Sequence, residues 1–170
     1  SVHVSGGTIT VQKGVFGKTT TNSIQMDNGT AFIENVQILG TGSYHGVAAQ
    51  GGDVTLTNVS ITGYASAGIR VNNAASVVTV NNVTVEGSGH GVSMSAGEIN
   101  GSGLKINTNS TAIDATDAVI TLTDLEATSN GHSMKLMKTT VAKITNLKAS
   151  SAVNNVRVQD TATLDLYGNV

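Results

Sequence analysis

Three histidines fall at a fixed place in a periodic chain. His45, His90 and His132 each stand two residues before an apolar pair. Imidazole is a common metal ligand and the side chain that titrates closest to neutrality. If the chain repeats as stacked strands, the three share one loop column in alternate repeats, with Ala67 and Thr111 between them. Alternate repeats would lie ~9.6 Å apart, twice the strand spacing. Zinc holds nitrogen ligands at about 2.0–2.1 Å, so two such histidines would not share an ion. No metal site and no cofactor are expected. The column reads instead as polar loop residues that bond backbone near a turn.

Carboxylates are the second source of chemistry. Asp114, Asp117, Asp124 and Glu126 crowd one repeat. Glycoside hydrolysis needs two carboxyl groups at a set separation. In this register Asp114 falls on an outer strand face, Asp117 in the next turn and Asp124 at a corner. They are spread around the coil, so no catalytic residue is expected. Asp114 is expected to pair at the surface with Lys135 in the next repeat, an interaction of small energy.

Basic residues are the third. Residues 1–132 hold four Lys/Arg against nine Asp/Glu, whereas residues 133–170 hold five against two. The five are Lys135, Lys138, Lys143, Lys148 and Arg157. Lys135 and Arg157 share an outward column in adjacent repeats, with Lys138 in the turn beside them and Lys143 outward on the next strand. Such a patch suits a sulfated glycan or an acidic protein surface. Its alternative reading is a solvated flank that limits edge aggregation. Tyr44 and Tyr64 read as loop-edge residues in neighbouring repeats and are the next candidates for contact with a partner.

These residues are positioned by a repeat. Apolar pairs at i and i+2 recur as Val2/Val4, Ile24/Met26, Val47/Ala49, Ile69/Val71, Val92/Met94, Ile113/Ala115, Met134/Leu136 and Val156/Val158, at intervals of 21 to 23 residues. Spacing by two is the strand period, and a fixed interval of this length marks a solenoid. Each repeat carries two further strand patterns, as in Val54/Leu56 and Val59/Ile61. Between them falls a corner column: Asn35, Asn58, Asn82, Gly103, Asp124 and Asn146. Asn and Gly tolerate left-handed backbone angles, and stacked Asn side chains can bond as a ladder. The column is therefore read as structural. In the first repeat, Ile9/Val11 and Val15 fit only with a register shift near Lys13. The last repeat lacks a third strand.

The fold class expected is all-β: a right-handed, single-stranded parallel β-helix of about eight coils over residues 1–170. It is read as one domain and as a fragment whose native end caps lie outside it, because uncapped coil ends are open sheet edges. Only 12% of residues are charged and the net charge is -2, which argues against a nucleic-acid partner. Absence of Cys excludes disulfides and thiolate metal sites. No apolar run is long enough for a membrane span.

The segments GGDVTLTNVSITGYASAGIRVNN and SVVTVNNVTVEGSGHGVSM resemble the right-handed β-helix stalk of bacterial autotransporter passengers, the pertactin-like family. The likeness runs over nearly the whole chain, and lack of Cys is similar to that family, whose passengers cross the outer membrane unfolded. It implies a secreted or cell-surface virulence or adhesion protein, acting as a monomer and without catalysis. The partner implied is a host cell-surface protein, the extracellular matrix or a glycosaminoglycan, with growth-factor-like receptor activation as one form. The alternative is a carbohydrate-active β-helix enzyme, a polysaccharide lyase or hydrolase. A third reading, ice binding, fails because Thr8/Thr10, Thr19/Thr21, Thr55/Thr57 and Thr121/Thr123 do not share a column in consecutive coils.

Overall fold

The computed structural model describes residues 1–17 and 21–170, with Lys18 and Thr19 described by backbone alone. In chain order the strands are β1 (Val2–Val4), β2 (Thr8–Thr19), β3 (Ile24–Met26), β4 (Thr30–Gly40), β5 (His45–Ala49), β6 (Asp53–Thr62), β7 (Ala67–Val71) and β8 (Val77–Glu86). They continue as β9 (His90–Met94), β10 (Glu98–Thr108), β11 (Ile113–Thr116), β12 (Val119–Ser129), β13 (His132–Met137), β14 (Val141–Ser151), β15 (Asn154–Val158) and β16 (Thr163–Tyr167). The odd strands form one eight-stranded sheet and the even strands another. Each strand from β1 to β14 pairs in parallel with the strand two places on in the chain. The protein is a parallel β-solenoid of about seven turns.

Alternation drives this arrangement. β6 reads DVTLTNVSIT, and its inward residues Val54, Leu56, Val59 and Ile61 are all buried. Each stacks on its counterpart in β8, with Val54 on Val78, Leu56 on Val80, Val59 on Val83 and Ile61 on Val85. Ile69, Val71, Leu122 and Leu125 are likewise buried. One coil cannot cover its own apolar face, so burial comes from its neighbours.

The second and third strand patterns of each coil run together as one bent strand. The bend lies at the corner column, where the backbone turns left-handed: Asn35 (φ 55°), Asn58 (53°), Asn82 (55°), Gly103 (67°), Asp124 (55°) and Asn146 (58°). The expected ladder forms in two runs. Asn58 Nδ2 donates to Asn35 Oδ1 at 3.1 Å and Asn82 Nδ2 to Asn58 Oδ1 at 2.8 Å. Asn146 Nδ2 then donates to Asp124 Oδ1 at 2.8 Å.

The first coil corrects the sequence reading. Its register is continuous through the corner, with Gln12 paired to Glu34 and Gly14 to Val36, and the irregularity falls later, between Phe16 and Thr19. Lys13 itself takes the corner place with φ 61°. The chain therefore turns Val15 outward, 62% exposed, and packs Phe16 against the core.

Candidate functional site

Register places Lys135 beside Arg157 on β13 and β15. The same outward column runs upward through Asp114, Ser93 and Arg70. Among the described residues, neither Lys135 nor Arg157 makes an ion pair. Asp114 is Lys135's register neighbour, yet the expected Asp114–Lys135 pair does not close. Register sets the backbones side by side but leaves the long side chain free to reach solvent. The ion pair forms one turn further on, where Lys138 Nζ lies 3.3 Å from Asp117 Oδ2.

Lys138 is thus partly neutralised, and its backbone N–H donates to Asp160 Oδ2 at 3.1 Å. Asp117 accepts from the Thr139 hydroxyl at 2.9 Å and its N–H at 3.3 Å. These bonds, led by the Thr139 hydroxyl and backed by Lys138, hold its carboxyl below the ordinary value. Lys143 is exposed on the second sheet, between Thr121 and Asp165. The five cations are therefore divided between the two sheets and the turn that joins them. Lys135 and Arg157 form a pair on the first sheet, while Lys143 and Lys148 belong to the second.

Tyr64 is not a surface residue. It is fully buried, and its hydroxyl shares a 2.6 Å hydrogen bond with Ser23 Oγ. Its ring fills the space beside Gly40, where an added Cβ would stand 2.5 Å from the ring. A loop position gave no sign of this, because the room for the ring is made by a glycine in the preceding coil. Tyr44 is 53% exposed and remains available to a partner.

The histidines stack in the expected column, His45 pairing in register with Ala67 and Ala67 with His90, but they open strands β5, β9 and β13 rather than lying in loops, and the expected Nδ1 bond to backbone does not close. The Nδ1 atoms of His45, His90 and His132 are all buried without a hydrogen bond. Burial lowers the His45 pKa, with the Arg70 guanidinium acting in the same direction. The Ala67 backbone opposes both, without closing a hydrogen bond to Nδ1. Among the described residues, no group of three or more His, Asp or Glu is placed to hold a metal ion.

The acids are spread as the register requires. Asp114 lies on β11, Asp117 in the turn after it, Asp124 at the corner, and Glu126 on the outer face beyond the corner of β12. The Thr-x-Thr pairs are also not consecutive: between Thr55/Thr57 and Thr121/Thr123 stand Thr79/Asn81 and Asn100/Ser102. The Thr19/Thr21 pair lies partly outside the described residues.

Sequence reading passed over two features. Arg70 belongs to the cation column but sits in the acidic part of the chain; its guanidinium donates to Ser93 Oγ at 2.6 Å and Ser95 Oγ at 3.1 Å. Near the first strand, His3 Nε2 lies 2.5 Å from Asp27 Oδ2, and Gln25 donates to Asp27 Oδ1 at 2.9 Å. The Gln25 bond first, then His3, lowers the Asp27 pKa. Column-by-column alignment of the polar residues would have exposed both.

Fold and surface together define a parallel β-solenoid that displays columns of polar residues at strand spacing. No family model, curated protein or solved structure matches the chain.

Proposed function

We propose that this chain is a non-catalytic segment of a secreted or cell-surface solenoid of the autotransporter-passenger kind, and that it binds an acidic host partner. That partner is a receptor, the matrix or a glycosaminoglycan. The observation that carries the reading is the Lys135–Arg157 pair. Two cations stand opposite each other on adjacent parallel strands and, among the described residues, neither makes an ion pair. Like charges placed this way repel, and an anionic partner relieves the repulsion. Separation of Asp114, Asp117 and Asp124 around the coil favours binding over glycan cleavage.

The test is heparin and host-cell binding by the wild type and by Lys135→Glu/Arg157→Glu. The wild type should bind, with affinity falling as salt rises. The double variant should keep its melting temperature and bind more weakly. Unchanged, salt-insensitive binding by the variant would move the contact to another surface, with the exposed Tyr44 edge next.

A further inference from the structure

We propose that the gap in the corner column at Gly103 opens a groove that binds a neutral oligosaccharide. This groove lies on the second sheet and does not rest on the Lys135–Arg157 reading. Three observations carry it.

The ladder stops at Gly103 because that position has no side chain. Asn82 Oδ1 would take the next donor in the ladder and receives none among the described residues. Across the gap stands Asp124, whose Oδ1 accepts from Asn146. Asn82 and Asp124 therefore flank an empty rung, and both residues are exposed.

A hollow of about 230 Å³ opens beside this rung, with Gly103, Asp124, Asn146, Lys105, Glu126 and Lys148 in its lining. A second hollow of about 200 Å³ adjoins it, shares Lys105 and Glu126, and extends to Thr84 and Glu86. The two make one groove along the rod, in which charged side chains stand beside the apolar surface of Leu125, Leu147 and Ile106.

Charge alternates along the groove floor. Lys105, Glu126 and Lys148 are register neighbours on β10, β12 and β14. Lys105 Nζ lies 3.8 Å from Glu126, and Lys148 makes no ion pair among the described residues. A polyanion would meet Glu86, Asp124 and Glu126; a polycation would meet both lysines. A sugar hydroxyl donates and accepts at once. A chain of hydroxyls can thus give protons to the carboxylates and accept them from the lysines, without burying an unpaired charge, while its C–H faces rest on the leucines.

The test is a titration of isotope-labelled protein with cellohexaose, maltohexaose, chitohexaose, heparin and a neutral Ser–Gly peptide, followed by amide shifts. At least one neutral sugar should shift Lys105, Glu126 and Lys148 saturably. Gly103→Asn fills the rung, since Asn accepts the left-handed φ of 67° and its Cβ would stand 3.4 Å from Asn82. It should melt no lower than wild type and bind the sugar at least about tenfold more weakly. Glu126→Gln should also weaken binding, which covers the case of a misfolded Gly103 variant. Lys135→Glu/Arg157→Glu should bind the sugar normally. The proposal is overturned if no neutral sugar shifts these amides, or if heparin or the peptide shifts them more strongly. Full affinity in a folded Gly103→Asn, or loss of sugar binding in the Lys135/Arg157 variant, would overturn it too.

Discussion

The coil that contains β5 and β6 and the coil that contains β15 and β16 carry the same pattern with opposite results. In the former, Val47, Ala49 and Leu56 are fully buried. In the latter, Val158 is 44% and Leu166 38% exposed, although each occupies the equivalent inward place. The difference is one of neighbours: β6 pairs with both β4 and β8, whereas β16 pairs with β14 alone. Alternation decides which way a side chain points. Stacking on both sides decides whether it is dry.

Truncation tests this contrast most strongly. Leu56→Ala should cost about 2–5 kcal/mol, because packed coils above and below cannot collapse into the cavity. Leu166→Ala should cost clearly less, as the site is already part open to water. Equal losses in chemical denaturation would show that both-sided stacking does not set the energy. Tyr64→Phe is next. It keeps the ring and removes the hydroxyl that bonds Ser23, so a loss of about 0.5–1.5 kcal/mol is expected; an unchanged midpoint would show that the buried bond contributes nothing net.

Acid should loosen the loop edge before the core. Since burial lowers the folded pKa of His45, the unfolded chain takes up that proton first. The stability linked to it is complete above about pH 6.5 and lost as pH falls through the lower folded value. Asp27 and Asp117 act in the same direction below the ordinary carboxylate value of 3.8. Melting temperature should therefore decline in two stages, and His45→Gln should blunt the first. A curve that is flat from about pH 7 to about pH 5 would contradict this. The smallest effect belongs to the outer face: Thr55→Ala should stay within about 0.5 kcal/mol of wild type, and a loss like that of Leu56→Ala would reverse the assigned facing.

Inward positions are legible in sequence because Val, Ile and Leu repeat at strand spacing over consecutive coils. The corner column is legible because few residues accept its backbone angle. Lys13 is the exception: a lysine at φ 61° gives no sign of a corner, so the facing of Val15 and Phe16 beyond it cannot be read from alternation. Tyr64 was illegible because its burial depends on Gly40, one coil earlier. The groove at Gly103 was half visible. The missing Asn could be read, but the alternation of Lys105, Glu126 and Lys148 beside it emerges only when the columns past the corner are aligned.

The Tyr64–Ser23 bond joins residues 41 apart, well beyond the single repeat of 22 to 24 residues that separates the Asn ladder partners. Nearest-neighbour stacking alone lets a solenoid unravel from an end, each coil releasing roughly 75 Å of chain when about 22 residues extend. A tie that skips past the adjacent coil acts as a rivet. Peeling that advances through β1 meets it as soon as β3 must leave, and the rod then has to surrender a buried ring along with a strand. The first coil can fray by itself, but beyond Ser23 the loss of one coil is mechanically coupled to the next.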